Sequence, residues 1–237
     1  MMQKQWRALV TFGFRLLYNE LAWTYDAVSW VVSLGQWRRW QQAGLPHVSG
    51  ERVLELGHGP GHMLRALAER GQQPVGLDLS RAMGRQARRR LAARGLAIPL
   101  VRGRVQALPF AAGAFDTVLA TFPTEYIVDP ATLTAVKRVL KRNGRFVIVP
   151  GAQLTGSNPL SKGVEWLYAI TGQRQRRRSG SKEITEETAI WQRFQPAFAA
   201  AGFELAAHRQ TFTRSVVLVL VATAVSPDRK TKHDKSR

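Results

Sequence analysis

Apolar positions along this chain follow two periods. Short apolar runs bounded by glycine, proline or charged residues read as strands, and the stretches between them repeat every three or four positions, as on one face of a helix. This pattern predicts strands over 52–56, 74–79, 100–102, 117–120 and 145–149. It predicts helices over 62–70, 81–94 and 130–141. Ser80 is placed to cap the second of these and Gly95 to stop it. Asp129 and Pro130 open the third. Strands that alternate with helices belong to βαβ units and a mostly parallel sheet. A helix over 186–201 stops at Gly202, and two strands follow over 203–213 and 215–224.

Both ends and one internal segment break the alternation. Residues 1–48 read as two or three helices preceding the sheet, with Leu9, Phe12, Leu16 and Leu17, then Ala27, Trp30, Val31 and Leu34, at helical spacing. Residues 151–159 read as a loop, 160–170 as an amphipathic helix, and 173–180 as an exposed basic loop. The tail 226–237 is polar, basic and expected to be disordered. The expected organisation is a helical cap over 1–48, one α/β domain over 49–225 with an insertion at 151–183, and the tail.

Composition changes this picture in two ways. The 237 residues include no cysteine, which excludes disulfides, cysteine-bound zinc and thiol chemistry, and suits a reducing cytoplasm. Thirty-five basic against 16 acidic residues give a formal charge of +19. Either a solvated basic surface or an anionic partner, such as lipid or nucleic acid, accounts for that excess. No apolar run is long enough to span a bilayer, and Arg15 and Glu20 interrupt the N-terminal apolar stretch where a signal peptide would need continuity.

The chemistry is concentrated where the first strand ends. Val53-Leu54-Glu55-Leu56 runs into Gly57-His58-Gly59-Pro60-Gly61, and a helix pattern follows. Glycines let a backbone turn sharply and approach a ligand, and the helix N-terminus offers free N–H groups to an anionic group. The next strand ends in Asp78, about 20 positions on, the spacing that sets a carboxylate on ribose hydroxyls.

At these residues the chain resembles the class I S-adenosylmethionine (SAM)-dependent methyltransferases, whose first motif is E/D-x-G-x-G-x-G. The likeness continues in Asp78-Leu79-Ser80, in Gly103 to Phe110 with Leu108-Pro109-Phe110, in Phe115 to Ala120, and in Val139 to Ile148. A narrower likeness joins Tyr18 to Asp26 and Ser33 to Trp40 to the N-terminal cap of the ubiquinone/menaquinone C-methyltransferases, with their Y-D and S-x-G-x-x-x-x-W/R elements. The resemblance implies a Rossmann-like, seven-stranded, mostly parallel sheet with helices on both faces, completed by the last two strands as an antiparallel pair, and an N-terminal helical cap.

It also implies a cofactor site. SAM's methionine end would lie over Gly57, Gly59 and Gly61, with Glu55 fixing the loop and adding a negative field. Asp78 would accept from the ribose diol, Leu79 press on adenine, and Thr121 lie near the methionine amine. Tyr25 would be the cap residue nearest the cofactor. One position departs from the family: Arg104 stands where an Asp usually accepts from the adenine amine, and arginine only donates. The Val105 backbone with a water, or the Gln106 carbonyl, are the substitutes in reach.

The acceptor is less legible. In-line methyl transfer does not require a base. Glu125 and Tyr126 follow the fourth strand, where an acceptor approaches, and are the candidates for base and positioning residue; helix entry and packing are the ordinary alternatives for both. Thr121 to Tyr126 lacks the N/D-P-P-Y/F motif of many amino-group methyltransferases. His58 and His62 flank the glycines, where packing or capping is the commoner use. The resemblance favours a small, hydrophobic, lipid- or quinone-like acceptor, and the aromatic N-terminal segment, the Trp166 helix and the adjacent arginine cluster suit peripheral contact at the inner face of an anionic membrane. An RNA methyltransferase using the basic surface, and a SAM-binding regulatory protein, remain as alternatives.

Overall fold

A computed structural model describes Trp30, Ser33 and residues 35–155 and 194–225. The helices are α1 (Trp37–Gln42), α2 (His62–Glu69), α3 (Arg81–Ala92), α4 (Pro130–Val139) and α5, the helical residues 194–200. The strands are β1 (Arg52–Leu56), β2 (Gln73–Asp78), β3 (Leu100–Arg102), β4 (Phe115–Thr121), β5 (Leu140–Leu154), β6 (Phe203–Phe212) and β7 (Ser215–Ala224). They form one sheet in the order β3-β2-β1-β4-β5-β7-β6. β1 to β5 pair in parallel, and β7 runs antiparallel to both β5 and β6.

Period-two alternation sorts each strand's side chains to two cores. On one face Leu54, Leu56, Val118, Ala120, Phe146, Ile148 and Leu220 meet Leu133 and Val136 of α4 and Phe198 of α5. On the other, Val53, Leu119, Val147, Val149 and Val219 meet Trp40 of α1 and Met63 and Leu67 of α2. A sheet covered on both faces needs apolar residues at nearly every strand position, which is why its strands read as runs rather than alternations. β7 is the clearest case, buried from Ser215 to Ala222. β6 is the outer strand, and most of its residues are at least partly exposed.

Helix boundaries follow local chemistry. The Ser80 hydroxyl accepts from the Met83 N–H at 3.2 Å, and Asp129 accepts from the Ala131 N–H at 2.9 Å. Both caps agree with the sequence expectation, as do the left-handed stops at Gly95 and Gly202. Ahead of α1, the Ser33 hydroxyl accepts from the Trp37 N–H at 2.9 Å, and Gly35 turns with φ +77°. That pair accounts for the S-x-G spacing: one residue caps, the other reverses.

Two expectations are corrected, both at β5. Leu140 and Lys141, read as the end of the helix over 130–141, open β5 instead, with Leu140 paired to Phe115. Residues 151–154, read as loop, continue β5 and pair with β7 from Gly151–Leu218 to Leu154–Ser215. Pro150 has no N–H to give a ladder, and it falls inside a register break between Ile148 and Gly151. The break lets pairing resume, so that β7 has a neighbour along its whole length. The expected helices over 1–29, the segment 160–183 and the tail lie outside the described residues.

Candidate active site

The strand order reverses between β1 and β4, so the connections leaving their carboxyl ends part and open a crevice, the place where such sheets bind ligands. The sequence placed its glycine turn and Thr121 at these two ends, and the fold brings them together: Leu56 pairs with Ala120, the neighbour of Thr121.

All three glycines of the turn adopt positive φ: 69° at Gly57, 52° at Gly59 and 83° at Gly61. Their surroundings differ. A Cβ on Gly59 would meet nothing within 4 Å, whereas one on Gly61 would lie 3.0 Å from the Ala87 Cβ of α3. Gly59 therefore leaves open space above the turn, and Gly61 lets α3 pack against it. The Gly61→Ala variant is expected to lower the melting temperature by several degrees, since it adds close packing to a strained backbone. Gly59→Ala carries the strain alone, so calorimetry should show the smaller loss there. Equal losses would mean that the turn is held by φ only.

Asp78 braces the turn. One carboxylate oxygen accepts from the Gly59 N–H and the other from the Ser80 N–H, each at 2.8 Å. Each oxygen keeps a second lone pair. Arg90 of α3 donates to the Pro60 carbonyl at 2.7 Å, a second brace that the sequence reading missed. Arg90 lies beside Leu91, seven positions past Met83 and three past Ala87, on the inward side of α3. An arginine on a buried stripe was the available signal.

Beneath the turn lies Glu55, 1% exposed. Its Oε2 has no hydrogen-bond partner among the described residues. Burial, with the charge of Asp78 second, pushes its carboxyl well above the ordinary range, while the Leu64 N–H in the first turn of α2 opposes the shift. His58 is also buried, its Nδ1 2.7 Å from the Gly59 carbonyl. A carbonyl only accepts, so Nδ1 carries the proton. Burial lowers the pKa of His58, against the pull of Asp78. A buried ring packed against the turn is consistent with a packing role.

Around this centre, Leu79 is 58% exposed and Val105 is half-buried at the start of a short 3-10 turn, Val105–Ala107. Arg104 is exposed. The Gln106 amide nitrogen donates to Asp129 at 3.1 Å, which turns the acceptor end of the amide away from Asp129. Thr121 is buried, and its hydroxyl accepts from Gln41 of α1 at 3.4 Å. Glu125 opens the 3-10 turn Glu125–Val128. The Tyr126 hydroxyl lies 3.3 Å from where a Cβ on Gly57 would be, which brings this tyrosine to the glycine turn. Tyr25 lies outside the described residues, and His62 begins α2.

The end of β4 carries a feature that the sequence reading did not single out. Phe122 holds φ +50°, a conformation that costs a non-glycine residue energy and clusters at functional sites. Its N–H donates to the Val149 carbonyl at 2.7 Å, and its ring stacks on Trp37, centroids 4.2 Å apart. Trp40 lies beside them and donates from Nε1 to the Ser215 hydroxyl at 2.8 Å. The aromatic N-terminal element is thus tied to the sheet at the crevice. Among the described residues no cluster of His, Asp or Glu could hold a metal.

Comparison with known proteins agrees with this geometry. The family model of a methyltransferase domain matches residues 53–144. A demethylmenaquinone methyltransferase of Lactiplantibacillus plantarum is 30% identical over 79% of this chain and 86% of its own length. A second, from Symbiobacterium thermophilum, is 31% identical over 66% of this chain and 64% of its own length. Phosphoethanolamine N-methyltransferase 2 of Haemonchus contortus, solved with S-adenosyl-L-methionine, superposes with a TM-score of 0.58 at 16% identity, over 81% of this chain and 53% of that one. With the glycine turn at the switch point and a curated relative matched over most of its length, the chain belongs to the class I SAM-dependent methyltransferases.

Proposed function

We propose that the protein transfers the SAM methyl group to a small, hydrophobic, quinone-like acceptor. The observation that carries this reading is the aromatic wall at the end of β4. Phe122 is stacked on Trp37 at the mouth of the crevice, and the Tyr126 hydroxyl faces the glycine turn. A flat apolar ring is held by such a wall through dispersion and offset stacking. The relatives named demethylmenaquinone methyltransferases support the same class of acceptor.

The residues present fit the cofactor on three counts. Glu55 sets a buried carboxyl, one oxygen unpartnered among the described residues, at the end of β1 just ahead of the turn, where its ionised form would attract an ammonium bound on the turn. Gly59 leaves space for a ligand's backbone-like end. Leu79 offers an exposed apolar face for adenine beside Asp78, whose spare lone pairs suit two ribose hydroxyls. In this reading Gly57, Gly59 and Gly61 line the methionine end, Thr121 stands beside its amine, and Val105 and Gln106 take the adenine edge that Arg104 cannot. Tyr25 would close over the site from the N-terminal segment.

When bound, SAM supplies the activated methyl group. What the chain adds is alignment and exclusion of water. Tyr126 positions the acceptor, and Glu125 is the candidate to take a proton from an acidic ring carbon or hydroxyl. Arg104 supplies a donor at the adenine rim in place of the family's acceptor, so adenine selectivity is expected to be weaker than usual.

The test is transfer of labelled methyl from SAM into an extract of the host cell, followed by partition. Label in the organic-soluble fraction is the expected result. Label confined to RNA or protein overturns the acceptor class and leaves the methyltransferase assignment standing.

A further inference from the structure

The stretch 79–115 contains eight arginines, no lysine and no acidic residue. It forms one lateral edge of the molecule: α3, which packs on β2 and β3, then β3 at the rim of the sheet and the turn after it. Arg81, Arg85, Arg88 and Arg89 on α3, with Arg94, Arg102 and Arg104, are exposed. Arg81, Arg85 and Arg88 recur at spacings of four and three, so they share one stripe of the helix. The ion pairs seen among the described residues, Arg65–Glu69 and Lys141–Asp116, involve none of these seven. Seven cations on one edge, with no neutralising carboxylate among the described residues, repel one another, and a polyanion removes that cost.

A second observation concerns what lies between the charges. At the end of α3, Leu91, Ala92, Leu96, Ala97 and Ile98 line an open apolar depression of about 270 Å³ with Arg88 at its wall. At the other end Leu79 stands 58% exposed. These apolar groups are aliphatic. The two aromatics of the stretch, Phe110 and Phe115, pack edge-on against each other, with Phe115 buried in the core. Stacking platforms for unpaired bases are therefore missing from this edge among the described residues. Arginines interleaved with aliphatic side chains suit an interface of anionic headgroups and acyl chains, where guanidinium groups meet phosphates and small aliphatics enter the boundary.

We propose that the α3–β3 edge is a docking surface for an anionic phospholipid bilayer, with the open apolar depression beside Arg88 facing the headgroup–acyl boundary. Leu79, which follows the carboxyl end of β2, lies where this edge meets the crevice, so a docked molecule would hold its site close to the membrane. The proposal stands apart from the acceptor reading, because vesicle binding is measured without methyl transfer.

The test uses the full chain, sedimented with vesicles of phosphatidylglycerol and phosphatidylcholine and with vesicles of phosphatidylcholine alone. Each cation at an anionic surface accounts for about a fivefold change in affinity, so R85E/R88E/R89E should bind the anionic vesicles about a hundredfold more weakly or worse at low salt. The variant should keep its far-ultraviolet circular dichroism and its SAM affinity. A second variant, Leu96→Asp, should weaken vesicle binding at salt concentrations that already screen the charges. Anionic-vesicle binding that is unchanged in the triple variant overturns the proposal. So does a wild-type chain that ignores anionic vesicles yet binds RNA through these arginines, which would make the edge a phosphate-backbone track.

Discussion

Asp78→Ala is expected to abolish measurable SAM binding. Two losses combine. The wild-type carboxylate holds the Gly59 and Ser80 N–H groups at 2.8 Å, so its removal releases the turn on one side and the start of α3 on the other. It also removes the acceptors proposed for the ribose diol. A hydrogen bond to a charged group contributes about 1.5–3 kcal/mol, so two of them correspond to a loss of about a hundredfold or more in affinity. Asp78→Asn is the sharper variant. Its amide presents one acceptor and one donor, and the donor must face the Gly59 or the Ser80 N–H, so the loop should suffer nearly as much as in the alanine variant. Isothermal titration calorimetry with SAM reads the affinity, and a thermal melt separates a disordered turn from a lost contact. Wild-type affinity in Asp78→Ala would remove the ribose contact from the site.

The parts of this molecule that were legible in sequence are those where local chemistry and global fold ask for the same residue. The β1 run, the β3 run, the caps at Ser80 and Asp129 and the stop at Gly95 appear where the sequence put them, because each is decided within a few residues. The four residues after Pro150 were misread because proline is a local signal of loop. What overrides it is the demand of β7 for a partner, about 65 positions downstream, and that demand has no local trace. Similar reasoning covers the crevice. The glycine turn and Asp78 announce themselves by spacing. The Arg90 brace and the stack of Phe122 on Trp37 join elements that are distant in sequence, and only packing brings them together. Acceptor chemistry was the least legible part, since in-line displacement demands alignment and no particular side chain.

Glu55→Gln should stabilise the ligand-free protein at alkaline pH while weakening SAM binding. Burial, with Asp78 beside it, holds the Glu55 carboxyl well above its ordinary range. The folded, ligand-free chain thus retains a proton that the unfolded chain releases. This contribution is fully present below the unfolded carboxyl's pKa, about 4.3, and is lost as pH rises through the folded value. His58 and His47 work in the other direction. Burial lowers both, with His208 and Arg145 adding to the effect at His47. Their contribution is complete above about pH 6.5 and is lost as pH falls through their folded values. Glutamine imitates the protonated carboxyl, so Glu55→Gln removes the alkaline loss and keeps the acid one. Each kcal/mol recovered raises the melting temperature by about 2–4 °C in a chain of this size. The gain over wild type should therefore grow from pH 5 to pH 8.5. Cofactor affinity should move the opposite way, because an ammonium bound on the turn next to this buried carboxyl favours the ionised acid. Titrations in buffers of different ionisation enthalpy should register proton release on SAM binding to wild type and less release to Glu55→Gln. Identical proton counts, with a melting difference that does not change with pH, would mean that Glu55 is already ionised beneath the turn and acts through its fixed charge alone.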